Sequence, residues 1–251
     1  MRDVEVTPRA LYAPVRLAAG SIVGEHCTLG YPKEARLRAE QDRPVSAAPG
    51  KPVVIGERCI IFNQVVVYEG ARVGEGCVIE DRVRIGYDSR IGARSRLVYG
   101  ASYLCDRVVV GCDTRIAGFV CDGTVIGDRS TVMGQLVHEY TRPHEDWWRV
   151  DEAAPVIESD TVVGYGACVV GGIRIGPRSY IAAGAVATKD VPPEHIVTGI
   201  NQHTPAWAWR GERLRGLIAY WTATPQPRLA VTARRSRSPR CRCQPPVSVI
   251  G

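Results

Sequence analysis

The chain has 251 residues, 45% hydrophobic and 23% charged, which excludes wholesale disorder or a collagen-like chain and suffices for one large domain or two small ones. Its formal net charge of +6 invites a nucleic-acid reading, but Arg228, Arg234, Arg235, Arg237, Arg240 and Arg242 account for all of it, in a stretch without an acidic residue. The body is therefore neutral, and no specific nucleic-acid partner is expected. No apolar run reaches the roughly 18 to 20 residues of a membrane span, so a soluble, cytoplasmic protein without a membrane partner is expected.

In chain order, the N-terminal stretch carries no apolar run long enough for a signal peptide. A first coil is expected at Val23 to Leu29, followed by a polar insertion over residues 31–52. From Ile55 an aliphatic residue then recurs at every sixth position through Ile61, Val67, Val73, Ile79, Ile85, Ile91 and Leu97. The register slips near Tyr103, resumes at Val110 and Ile116, and shifts again to Ile126 and Val132. After an interruption at residues 138–155 it returns as Ile157, Val163, Val169, Ile175 and Ile181.

A period of six is neither the 3.6 of a helix nor the 2 of an alternating strand. It fits a short strand plus a tight turn, with the aliphatic residue pointing inward and three such units closing one triangular coil. Glycine often follows the aliphatic residue, as at Gly56, Gly74, Gly86, Gly92, Gly111, Gly127, Gly164 and Gly176, and is expected there to permit unusual backbone angles at the corner. Four positions after the aliphatic residue a small side chain recurs, which makes Cys59 and Cys77 small core residues rather than reactive ones. The nine cysteines contain no CxxC pair, which points to a reducing compartment.

At YEGARVGEGCVIEDRVRIG, TVIGDRSTVMG and AAGAVATKDVPPEHIVTG the chain resembles the hexapeptide-repeat transferases, closest to the soluble acetyltransferases that modify sugars and related amines. The resemblance covers about Ile22 to Ile200. It implies an all-β, left-handed parallel β-helix, placed here at residues 1–204, with the 138–155 loop at the active site. A short helical extension is expected at 205–222 and a disordered Arg/Pro/Ser-rich tail at 223–251. The resemblance also implies a homotrimer, acetyl-CoA or another acyl-CoA as co-substrate, no metal, and a small-molecule acceptor.

Acyl transfer from a thioester needs a base for the acceptor's proton and alignment of two substrates. Of the five histidines, His138 and His144 lie in the protruding loop, where side chains escape the coils. His138 directly follows a coil, so the prism holds its backbone, and it is the first choice as general base with Glu139 orienting it. His144 is the alternative base, and transfer assisted by the substrate's own amine stays open. Trp147, Trp148 and Arg149 suit stacking on an acceptor and pairing with its anionic group, or pinning the loop to a neighbouring subunit. Asn63 and Gln64 place amides on the coil wall, which suits an acceptor but also a stacked amide ladder. The resemblance assigns Gly164, Tyr165, Ala183, Thr188 and Lys189 to the acyl-CoA, the lysine near the nucleotide phosphates. Two other functions share this repeat: a zinc enzyme of the γ-carbonic-anhydrase kind, which needs three histidines, and a non-catalytic assembly module.

Overall fold

The computed structural model describes residues 12–42, 50–98, 102–139, 152–200 and 202–210. The chain winds as a left-handed parallel β-helix whose strands fall in three sheets of eight, ten and eight strands, each strand but the last pairing with its counterpart one coil away. The first face runs from Val15–Leu17 through Val53–Ile55, Arg72–Val73 and Arg90–Ile91 to Arg174–Ile175. The second runs from Ile22–Val23 through Ile60–Ile61 to Tyr180–Ile181 and His195–Thr198, and the third from Thr28–Tyr31 to Val186–Ala187. Every expected inward aliphatic from Ile55 to Leu97 is at most 4% exposed. Each Ile or Leu so buried contributes about 1.5 to 3 kcal/mol, an upper figure set by an extended unfolded chain.

The first register slip is one extra residue, Leu97 and Leu104 being seven apart, and the later shift is a shortening. Between Ile116 and Val120, and again between Val132 and Leu136, the corner from the second to the third face is two residues shorter, so the six-residue count fails while the stacking continues. Gly118 and Gly134 stack in these short corners, where a Cβ on Gly118 would lie 1.8 Å from the Gly134 carbonyl oxygen. Leu104, Val120 and Leu136, which the period misses, are all fully buried.

The expectation for the glycines that follow the aliphatic residue is corrected. None of the eight has positive φ; the left-handed conformation falls two residues later, on Arg58, Asp88, Arg94, Asp113, Arg129 and Arg178 in six of the corners and on Gly76 and Gly166 in the other two. The glycines are required by close approach instead: a Cβ on Gly92 would lie 2.4 Å from the Gly111 carbonyl carbon, and one on Gly56 2.6 Å from the Glu75 nitrogen. The left-handed non-glycine residues each carry a conformational cost of about 1 to 2 kcal/mol. Several also stack in ion pairs from coil to coil, Arg94 on Asp113 through two bonds of 2.8 and 2.7 Å and Arg129 on Asp160 through bonds of 2.6 and 2.8 Å.

The small side chains form a hydrogen-bonded column along the corner between the first face and the second. Cys59 and Cys77 donate through Sγ to the Gly74 and Gly92 carbonyls at 3.0 and 3.1 Å, as the hydroxyl of Ser95 does to Gly111 at 2.8 Å. The Ser95 hydroxyl also accepts the Thr114 N–H at 3.1 Å. Thiol and hydroxyl are thus interchangeable parts of one ladder, which makes these two cysteines structural.

The polar insertion holds a helix, α1 (Glu34–Asp42), which its weak amphipathic pattern concealed. Charge docks it on the prism. Glu69, 2% exposed, accepts Arg36 Nη1 at 2.5 Å and the Lys33 N–H at 3.1 Å, and Asp88 accepts Lys33 and Lys51 Nζ at 2.5 and 3.0 Å. Burial pushes the Asp88 carboxyl up, but the hydrogen bonds and charges of the two lysines outweigh it and hold the group below its ordinary range. At the other end, Gln202–Pro205 pairs antiparallel with His195–Thr198 and covers the open edge of the second face, followed by a 3-10 turn at Ala206–Ala208. The rest of the 205–222 extension and the 223–251 tail lie outside the described residues.

Thermal melts test this assignment. Ile85→Asp buries an unpaired carboxylate and should cost several kcal/mol, whereas Arg115→Ala, on the exposed side of the second face, should stay within about 0.5 kcal/mol. Cys77→Ser should keep the stability of the parent and Cys77→Ala should lose about 1 kcal/mol, because only the first preserves the carbonyl contact. Equal melts for the serine and alanine variants would remove the column from the account.

Candidate active site

The C-terminal half of the third face gathers most of the residues singled out from the sequence. Its strands Gln135–Val137, Cys168–Val170 and Val186–Ala187 stack with Gln135, Cys168 and Val186 in register and pointing outward. One rim is the corner from the second face to the third, which carries Gly164, Tyr165 and Ala183. The opposite rim is the corner from the third face to the first, which carries His138, Glu139, Thr188 and Lys189. His138 and Lys189 hold the same corner position two coils apart, a separation of about 10 Å at the strand spacing.

His138 is half-buried, and its Nδ1 lies 3.3 Å from the Ala153 carbonyl oxygen. A carbonyl can only accept, so in this contact Nδ1 is the donor, an arrangement compatible with a base acting through Nε2. Glu139 is exposed and leans over Gly171, where a Cβ would sit 3.3 Å from Glu139 Oε2. Asp122 occupies the same corner one coil before His138, with Oδ1 accepting the Asp106 N–H at 2.6 Å.

On the opposite rim Tyr165 is 79% exposed and its carbonyl accepts the Gly184 N–H at 3.0 Å. Virtual Cβ atoms on Gly166 and Gly184 meet nothing within 4 Å, so the rim between them is an open track of backbone. Gly164 is different: its N–H donates to the Ile181 carbonyl at 2.8 Å, and a Cβ there would lie 2.7 Å from the Ala183 nitrogen. Packing alone therefore requires glycine at this position.

Lys189 is exposed beside the terminal hairpin. Burial, and then the charges of Lys189 and His195, hold the His203 imidazole below its ordinary value. His195 uses Nδ1 on the Pro193 carbonyl at 2.8 Å.

Asn63 and Gln64 lie apart from this patch, on a corner five coils before Tyr165, about 24 Å along the axis. Asn63 Oδ1 accepts the Glu25 N–H at 2.8 Å, and Gln64, at φ 58°, accepts Arg82 Nε at 2.9 Å. Both amides thus serve the corner ladder. His144, Trp147, Trp148 and Arg149 lie outside the described residues. Gln135 and Cys168, at the centre of the patch, were not legible as site residues because each occupies an ordinary variable position of the repeat. Burial pushes the Cys168 thiol up, which keeps it protonated and unsuited to nucleophilic attack. Among the described residues no group of three or more His, Cys, Asp or Glu side chains could hold a metal ion, and no helix is long and apolar enough to cross a membrane.

Two stretches of the repeat match known hexapeptide families. Residues 52–87 match the family described as bacterial transferase hexapeptide (six repeats), and residues 156–189 match the hexapeptide repeat of succinyl-transferase. Among curated proteins the chain is similar to the bifunctional protein GlmU of an Exiguobacterium species, 27% identical over 193 residues that cover 64% of this chain and 42% of that protein. It is also similar to the 2,3,4,5-tetrahydropyridine-2,6-dicarboxylate N-acetyltransferase of Enterococcus faecalis, 47% identical over 49 residues, 19% of this chain and 21% of that protein. The chain thus spans less than half the length of these relatives. Among solved structures it is similar to a mutant GDP-perosamine N-acetyl transferase from Caulobacter crescentus in complex with CoA and GDP-perosamine, at 18% identity and a TM-score of 0.29, covering 68% of this chain and 75% of that one.

Gly164→Ala should lower the melting temperature sharply, since the added methyl meets backbone on the next coil, whereas Ala183→Gly should change it little. A calorimetric scan of the two variants distinguishes a packing requirement at Gly164 from one imposed only by a bound molecule.

Proposed function

We propose that this protein transfers an acyl group, in the first instance acetyl, from a CoA thioester to an amino or hydroxyl group of a small polar acceptor, and that it works as a homotrimer. The observation that carries this reading is the position of His138, fixed on the prism by its corner and by the Ala153 carbonyl, across one face from the exposed backbone track of Tyr165 and Gly184. The transferase repeat, and the N-acetyltransferase named among the relatives, support it.

In this reading the thioester arm lies along the Tyr165 to Gly184 rim, where the absence of side chains at Gly166 and Gly184 lets it approach the backbone. Lys189 pairs with phosphate at the far end. His138 Nε2 takes the proton of the attacking amine or hydroxyl as the new bond to the acyl carbon forms, and the thiolate of CoA departs. Glu139, beside it in sequence, is assigned to orienting the imidazole. Trp147, Trp148 and Arg149 are assigned to the acceptor.

The test is a donor and acceptor screen with mass detection, followed by kinetics. His138→Ala should lower kcat about 10²- to 10⁴-fold with little change in the KM for acyl-CoA, and His144→Ala should raise the KM for the acceptor. A base acts only when neutral, so the wild-type rate should rise with pH on a limb that the His138 variant lacks. Full activity of His138→Ala beside a dead His144→Ala would exchange the two roles. Lys189→Ala should raise the KM for acyl-CoA about tenfold to a hundredfold and leave acyl-pantetheine turnover unchanged, because the shorter donor has no nucleotide phosphates.

A further inference from the structure

The outward row of the third face runs Arg84, Tyr103, Phe119, Gln135 and Cys168, one residue per coil. Its first three members form a continuous stack along the axis. Arg84 Cζ lies 4.4 Å from the centroid of the Tyr68 ring and 4.5 Å from that of Tyr103, and its Nη1 donates to Tyr103 Oη. Tyr103 in turn stacks on Phe119, with centroids 5.6 Å apart and planes at 18°. Tyr31 and Tyr87 brace Tyr68 edge-on, at 5.4 and 4.6 Å. Among the described residues the outward rows of the other two faces carry one ring between them, Tyr180, so the aromatic side chains gather on the face that holds His138.

The core does not require this stack, because the inward residues of the same coils, Ile85, Leu104 and Val120, are already fully buried. Nor does the stack run the length of the face. It ends at Phe119, which is half-buried, and the next position in the row is Gln135, which is exposed and whose amide has no hydrogen-bond partner among the described residues. The last ring is thus held from behind by three stacked groups and is followed by a free amide.

A further ring on this stack would lie about 4.8 Å beyond Phe119, level with the coil that carries both Gln135 and His138. Those two residues are three apart along that coil, at most about 10 Å. The backbone track of Tyr165 and Gly184 lies one and two coils beyond it, so His138 stands between the end of the stack and the donor rim. A ring that took the next place would rest an apolar face on Phe119 and present a polar edge to Gln135, whose amide both donates and accepts.

We propose that Phe119 and Gln135 form a ring subsite for the acceptor, which is a cyclic amine or alcohol stacked on Phe119, held at its polar edge by Gln135 and turned with its nucleophile toward His138. Tyr103 and Arg84 are positioning residues, since they fix the ring of Phe119 before the acceptor arrives. The transfer itself is unchanged: the acyl carbon–sulfur bond breaks as the bond to the nitrogen or oxygen of the acceptor forms, and the proton passes to His138. A sugar ring and an aromatic ring share the chemistry required, a flat apolar face with a polar edge. That the bound ring is the acceptor rests on the acyl-transfer reading above; that a ring binds there does not.

The chain has two phenylalanines, Phe62 and Phe119, so the full-length protein labelled with 4-fluorophenylalanine gives two fluorine NMR lines, assigned with Phe62→Leu. D-Glucosamine and 4-aminophenol are the cyclic probes and ethanolamine the acyclic one. At least one cyclic probe should shift the Phe119 line saturably while ethanolamine leaves it in place, and the probe that does so identifies the kind of ring. Gln135→Ala should weaken that binding about threefold to tenfold. In kinetics with acetyl-CoA and the same probe, Phe119→Leu should raise the acceptor KM about threefold to tenfold without changing the KM for acetyl-CoA, and Phe119→Tyr should restore it. Tyr103→Ala should act like Phe119→Leu and Tyr103→Phe like the parent, with melts establishing that each variant is folded.

A Phe119 line that neither cyclic probe moves, or that ethanolamine moves equally, overturns the inference. So does an unchanged acceptor KM in Phe119→Leu, while the acyl-transfer reading then stands with its acceptor held elsewhere. A saturable shift without acylated product from any donor leaves the ring subsite in place and overturns the acyl-transfer reading instead. If the probes leave the line unmoved and Phe119→Leu lowers the mass in solution, the stack is a contact between copies and the inference is overturned.

Discussion

The structure depends on the hydrogen bonds between successive coils. Each coil donates and accepts through its backbone to the coil on either side, so every turn of the chain must return to the same place about 4.8 Å further along the axis. That one requirement dictates the spacing of inward aliphatics, excludes a Cβ where two coils approach most closely, and forces a left-handed residue into nearly every corner. It also explains why side chains stack in columns. A column of thiols and hydroxyls satisfies carbonyls along one corner, and a column of arginines alternating with acids runs beside it.

Such a scaffold has little room for chemistry, because most of its outward positions repeat one another. The exceptions are the places where the coil is interrupted. The first interruption brings α1 against Glu69 and Asp88 and covers the N-terminal end of one corner with ion pairs. The second begins at His138, where the chain leaves the prism. The residue at that point is held by the coil it follows, which is what the proposed base would need. Tyr165 and Lys189 face it across or along the same surface because the corners are in register, although dozens of residues separate them in sequence.

Like charges at equivalent positions show the same logic from the other direction. Register places Arg72 beside Arg90 and Glu57 beside Glu75, one coil apart, and all four are exposed. A repeating fold sets equivalent positions in columns, so like charges at successive equivalents are presented outward together.

The sequence by itself determined the period, the inward residues from Ile55 to Leu97 and the two interruptions, because a six-residue strand and turn is a local pattern that needs no partner to be read. It also marked His138, since a histidine just after a coil is visible in one dimension. Only the tertiary structure decided why the glycines are there: next-coil crowding, not backbone freedom, requires Gly56 and Gly92, and no single-coil argument contains the next coil. The short corners at Gly118 and Gly134, the helix in the insertion and the separation of Asn63 from the His138 patch were likewise settled by stacking. Each depends on what lies one or more coils away, at a distance along the chain that changes wherever a corner shortens or a loop intervenes.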